Sequence, residues 1–246
     1  MRLRLDHVII RSGEPQRTLA ELARRAGAPV LAEVEELVGG IQSGIARGGP
    51  VDLEVLEIGG IPPERPLGYG LGFVADVPLM EAVGELRALG FPVSPPAPGA
   101  AGDRRWHAAQ IHGLLPNPFP VPVSTRRPGV RDRVAGAAAG TLGRIPVLAR
   151  AGVNEAGDSM VVLTEYGFDV ASWRAGAEGG PAVAGVELGA AGDRAAWERL
   201  PLGDEVPVTV HDDGPPGLTR VLLTGARRKP FSLGAVRFEW VSGGGR

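Results

Sequence analysis

The chain has 246 residues, of which 43% are hydrophobic, enough to bury the core of one large domain or two ordinary ones. A formal charge of −2 argues against nucleic acid or an anionic membrane as a partner. With no cysteine, disulfides, thiolate zinc sites, iron–sulfur clusters and cysteine nucleophiles are excluded.

Residues 3–11, LRLDHVIIR, read as a strand with His7 in its middle. No signal-peptide pattern precedes it and no apolar run is long enough to span a membrane, so a soluble cytoplasmic protein is expected. Leu19, Leu22, Ala23 and Ala26 then recur at helical spacing, with Pro15 near the start and Gly27 at the stop. Three strands follow over 28–37, 40–47 and 51–59, the last two joined by Gly48-Gly49-Pro50. The order is β-α-β-β-β, ended by the Pro-rich joint at 61–66.

That order repeats. A strand at 69–78, a helix between Pro78 and Gly90, and strands beginning near Phe91, over 104–111 and over 117–123 make a second unit. LDHV (5–8) aligns with LGFV (71–74), and matching elements at a period near 65 residues point to a duplication. Residues 159–170 read as a strand or hairpin. From 182 a third, degenerate unit is expected, with strand, helix and three further strands to residue 241. The fold class is therefore α+β, with a first domain over 1–126 (units 1–60 and 67–126) and a C-terminal region over 127–246.

Paired βαβββ units opening on LDHVIIR, with GGIQSGIA, DLEVLEIG and RRWHAAQIHGLLPNPFPV in that order, resemble the vicinal oxygen chelate superfamily, and within it the glyoxalase-like proteins. The resemblance covers about residues 1–125 and implies a partly closed mixed-sheet barrel. It also implies one divalent metal (zinc, iron, manganese, nickel or cobalt) held by inward residues of the first and last strands of each unit. On that pattern His7 and Glu54 match the ligands of the first unit, whereas Phe73 and Pro122 stand where the second unit's ligands would be. Two protein ligands are fewer than a catalytic metal usually has. His107, Gln110 or His112 are the candidates to supply more, and alternation forbids His107 and Gln110 from facing the barrel together.

Two functions follow from this reading. One is a small-molecule binding protein without metal, its cavity lined by Phe73, Trp106, His107 and Phe119, with Gln42 and Arg47 as flanking polar contacts and His7 as a buried hydrogen-bonding group. The other is a metal-dependent lyase, isomerase or dioxygenase in which His7 and Glu54 hold the ion and Glu54 moves a proton. A small oxygenated or apolar metabolite is the partner in both. A homodimer would cover the apolar face that half-barrels leave open.

Overall fold

The computed structural model describes residues 1–37, 41–58, 62–115, 160–177, 179–189, 194–226 and 228–242. Two sheets and four helices are described. The first unit comprises β1 (Leu3–Arg11), α1 (Pro15–Ala26), β2 (Val30–Glu36), β3 (Gln42–Ala46) and β4 (Asp52–Glu57). The second comprises β5 (Leu67–Ala75), α2 (Leu79–Ala88), β6 (Ala97–Ala101), β7 (Arg104–Gln110) and β8 (Met160–Tyr166). Their strands form one sheet in the order β2-β3-β4-β1-β5-β8-β7-β6, curled into a nearly closed barrel. In each unit the first strand lies parallel to the last, and β1 meets β5 antiparallel at the junction.

The fourth strand of the second unit is β8, not the stretch 117–123, which lies outside the described residues. A short helix, α3 (Val170–Ala175), follows β8, and the Asp169 carboxylate accepts from the Ser172 amide at its start.

The smaller sheet contains β9 (Ala182–Gly189), β10 (Val208–Val210), β11 (Gly217–Thr224), β12 (Phe231–Leu233) and β13 (Val236–Trp240), with α4 (Arg194–Arg199) between β9 and β10. Its order is β10-β9-β11-β13-β12. In a single βαβββ unit the first strand lies beside the last. Here β9 lies parallel to β10 and antiparallel to β11, and β11 lies parallel to β13. This is the middle of the larger sheet in miniature, as though two abbreviated units had been joined.

The core lies between the outer face of the larger sheet, its helices and the smaller sheet. Leu19 and Leu22 of α1, Val83 and Leu86 of α2, and Val221 and Phe238 of the smaller sheet belong to one buried cluster with Val8, Leu53 and Phe73. At about 1.5–3 kcal/mol for each large apolar side chain removed from water, such a cluster dominates the fold. Close approach of the two sheets requires a glycine: a Cβ at Gly68 of β5 would collide with the Leu218 carbonyl of β11. The smaller sheet thus covers apolar surface on the outer face of the larger one, and the described large hydrophobics that remain exposed are Val30, Met80, Leu89 and Val241. No helix among the described residues is long and apolar enough to cross a membrane.

Candidate functional site

A histidine interrupts the apolar first strand because of an irregularity in the β1–β5 ladder. Leu5 pairs with Phe73 and His7 with the very next residue, Gly72, so β1 carries one extra residue, Asp6. Such a bulge reverses the alternation of side chains. Leu3 and Leu5 therefore join Val8 and Ile10 in the main core, while His7 and Ile9 turn into the barrel. Opposite His7 the sheet needs a residue without a side chain, since a Cβ at Gly72 would fall on the imidazole ring.

The barrel encloses a cavity of about 120 Å³, several times the space that one water requires. The first unit lines it with His7, Ile9, Ile45, Glu54 and Leu56, and the second with Trp106, Ala108, Met160, Val162 and Tyr166. Phe168 and Trp173, after β8, close over one end. Most of these groups are apolar; Glu35 and Arg104 form one polar pair on β2 and β7, and His7, Asp52 and Glu54 form a polar set on the strand pair β1–β4.

There a connected network begins at Glu54. Its Oε1 accepts from Ser43 Oγ at 2.5 Å, and its Oε2 lies 3.6 Å from His7 Nε2. The other ring nitrogen, Nδ1, lies 3.0 Å from Asp6 Oδ2. Asp6 Oδ2 also accepts from the Tyr166 hydroxyl at 2.5 Å, and Oδ1 from Arg174 Nη2 at 2.8 Å. Arg174 Nε donates to Asp52 Oδ2 at 2.8 Å, and Arg47 Nη1 donates to Asp52 Oδ1 at 3.1 Å.

These contacts set the charge states. Burial would raise Asp6, but the hydrogen bond and charge of His7, with Arg174 and Tyr166, outweigh it and hold the carboxyl far below its usual range. Burial likewise lowers His7, yet its hydrogen bond to Asp6 and the charges of Glu54 and Asp6 prevail, so the imidazole titrates above its ordinary value. Burial is also the main influence raising Asp52, against the pull of Arg174 and Arg47. Burial and the Asp6 charge put Tyr166 well above an ordinary phenol, so it stays a donor. With Asp6 ionised and accepting from Nδ1–H, a neutral His7 would set the Nε2 lone pair against a Glu54 oxygen. Something positive or hydrogen-bond-donating belongs between them, either the second imidazolium proton or a ligand's own group.

A divalent ion does not fit these residues well. His7 Nε2 and one oxygen of Glu54 are two donors, and the facing strand β8 brings Met160 and Val162. Among the described residues no group of three His, Asp or Glu side chains could hold a metal. His107 is exposed and on the opposite face of β7 from Trp106, so it neither lines the cavity nor completes a ligand set.

Phe73, Gln42 and Arg47 all lie away from the cavity. Phe73 sits in the core on the outer face, because the bulged pairing puts Gly72 rather than Phe73 across from His7. Gln42 points outward to Gln16 of α1, at 3.4 Å, while its neighbours Ile41 and Ser43 line the cavity. Arg47 lies outside the cavity, behind Asp52. Trp106 lines the cavity, and Phe119 lies outside the described residues. Asp6, Ser43, Asp52, Tyr166 and Arg174 were not singled out from sequence. Asp52 was within reach, since alternation places it on the face of Glu54, whereas Arg174 lies 168 residues from Asp6 along the chain.

No family model and no curated protein matches the chain. Among solved structures it is similar to a hypothetical protein from Staphylococcus aureus, with a TM-score of 0.59 and 10% identity over 97% of this chain and 100% of that one. Weaker similarities include methylmalonyl-CoA epimerase from Mycobacterium tuberculosis (TM-score 0.40, 14% identity, 68% of this chain and 91% of that one). Another is a Mn(II)-bound glyoxalase from Novosphingobium aromaticivorans (TM-score 0.46, 14% identity, 90% of this chain and 65% of that one). The similarity to the Staphylococcus aureus protein extends over nearly the whole of both chains and concerns the fold, here two βαβββ units joined through β1 and β5 around one cavity.

Proposed function

We propose that the protein binds a small, largely apolar molecule in the barrel, with one polar group of that molecule seated between His7 and Glu54. The observation that carries this reading is the asymmetry of the cavity, a polar pair on β1 and β4 facing an apolar wall of Trp106, Ala108, Met160 and Val162. An enclosed apolar wall supplies affinity, and a single polar pair supplies orientation. A protein metal centre is not needed for either role. Enzymatic use of a metal at His7 and Glu54 is the competing reading, favoured by the Asp6 carboxylate that orients His7 in the manner of a metal-ligating imidazole.

Phenol is a suitable first probe, because it sets one flat apolar ring against the wall and its hydroxyl can both donate and accept. Calorimetry should show saturable one-to-one binding. Filling the cavity by Val162→Phe should abolish it, and Glu54→Gln should weaken it while leaving the fold intact. Binding that survives Val162→Phe would refute the cavity as the site. Elemental analysis of protein purified without chelator separates the two readings: metal well below one equivalent is expected, and a full equivalent lost in His7→Ala would establish the competing one.

A further inference from the structure

Phe168 lies just beyond the end of β8 and lines three concavities at once. One is the inner cavity of about 120 Å³. The others are an outer cleft of about 570 Å³ along β2 and a pocket of about 360 Å³ at the barrel end, between β5, β8 and α3. We infer that Phe168 sets the length of the molecule the barrel accepts, confining it to the inner cavity and excluding a chain that would run on into the outer ones. This inference rests on the reading of the barrel as a small-molecule site and adds a size class, a compact molecule without a tail.

Thr164 and Tyr166 also line both the inner cavity and the end pocket. They are fixed in β8, where Thr164 pairs with Ala108 and Tyr166 with Trp106, and the Tyr166 hydroxyl donates to Asp6. Phe168 belongs to no strand or helix. Its backbone is anchored on both sides, by the Gly167 amide on the Arg105 carbonyl before it and by the Asp169 cap of α3 after it. Its ring meets those of Tyr166 and Trp173 edge-on, with centroids at 5.3 and 5.7 Å. Contacts of this kind add to the packing of a ring and favour one orientation of it. The ring is thus a fixed partition, and removing it joins the spaces on either side.

The end pocket suits a chain that has passed this point. Val77, Leu79 and Val170 give it an apolar side beside charged groups such as Arg4 and Glu165. An open apolar path rewards each added methylene with about a fourfold gain in affinity. A rigid wall ends that gain at the chain length that first meets it, and overpacking then reverses it.

Calorimetric titration of phenol, 3-butylphenol and 4-butylphenol into the full chain tests the assignment, the two isomers carrying the chain in different directions from a ring seated by its hydroxyl. Wild type should bind phenol, and bind both butylphenols within tenfold of it or more weakly. Phe168→Ala should bind at least one butylphenol more than tenfold tighter than it binds phenol. Phe168→Leu keeps an apolar side chain at the position and should move the butylphenol-to-phenol ratio the same way by a smaller factor, which preserves the test if the alanine variant does not fold. Because the ratio is taken within each protein, a general weakening of the site cancels. A ratio unchanged in both variants, or a butylphenol bound more than tenfold tighter than phenol by wild type, overturns the inference and leaves the barrel reading standing. Failure of wild type to bind phenol refutes the barrel reading itself, and this inference with it.

Discussion

Leu5 and His7 stand two residues apart on β1 and face opposite sides of the sheet, because the bulge at Asp6 reverses the alternation between them. The bulge residue is itself the hub of the site, with its carboxylate held by His7, Tyr166 and Arg174. Asp6→Asn preserves the shape and removes the charge. Removing one partner of a buried ion pair costs about 3–5 kcal/mol, and the lower end applies here because Arg174 keeps Asp52. A fall in the urea midpoint at unchanged slope is the expected result.

The same residue governs the titration of His7. The folded-state value of the imidazole is raised, chiefly by its hydrogen bond to Asp6 and by the charge of Glu54 against the opposing effect of burial. Its contribution to stability is therefore complete below the unfolded value of about 6.5 and is lost as pH climbs through the folded value. Asp6 works in the other direction, since its depressed value adds stability that disappears only as pH falls far below the ordinary carboxylate range. Proton NMR should place the His7 imidazole above 6.5 in wild type and lower in Asp6→Asn. Equal values in the two proteins would show that Asp6 does not set the charge of the ring.

Much of this architecture is written in local patterns. Helical spacing of Leu19 and Leu22 and strand alternation around Val51–Val55 suffice to place α1 and β4, element order points to the duplicated unit, and the barrel follows from the resemblance that this order carries. The bulge escapes because alternation rules assume a regular ladder: LDHV and LGFV align letter by letter, which suggests Phe73 as the counterpart of His7, while the hydrogen bonds choose Gly72. The arginine of the network escapes for another reason. Arg174 belongs to a short helix that follows β8, and only the closed sheet brings it to Asp6 and Asp52. Long-range polar contacts of this kind leave no periodic trace.

Gly72 provides a sharper test of the packing around His7. An alanine there would set its methyl group into the imidazole, a buried group fixed by Asp6 on one side and facing Glu54 on the other. Overpacking of this kind typically costs about 1–3 kcal/mol. Gly72→Ala should lower the unfolding midpoint and displace the His7 ring resonances. It should also weaken phenol binding more than an exposed Gly→Ala such as Gly84→Ala, where a Cβ meets nothing within 4 Å.

Arg174 ties α3 to the barrel floor through two carboxylates, and Trp173, its neighbour, covers the cavity. Replacing it with Met retains the stem but leaves Asp6 and Asp52 short of their shared cation. Hydrogen exchange over residues 166–175 should accelerate in Arg174→Met, while the amides of β3 and β4 away from this contact remain protected. Uniform acceleration would mean global destabilisation rather than release of the helix.

The open side of the barrel carries its own fastening. Arg104 of β7 pairs with Glu35 of β2 from the other unit, and its guanidinium lies over the Trp173 ring, 5.1 Å from the centroid. All three residues line both the inner cavity and a separate concavity outside it that Leu31, Glu33 and Asp103 also border, which sets them on a direct route between the two. Both members of the pair are partly exposed, and such pairs contribute about 0–1 kcal/mol to stability. Glu35→Gln should therefore leave the unfolding midpoint almost unchanged. If the pair is the gate, stopped-flow tryptophan fluorescence should report phenol association and dissociation both faster in Glu35→Gln, with their ratio, and hence Kd, little altered. Added salt should speed the wild type toward the variant because screening weakens the ion pair. Identical rates in the two proteins at low salt would remove Arg104 and Glu35 from the path of the ligand and place the way in elsewhere around the rim.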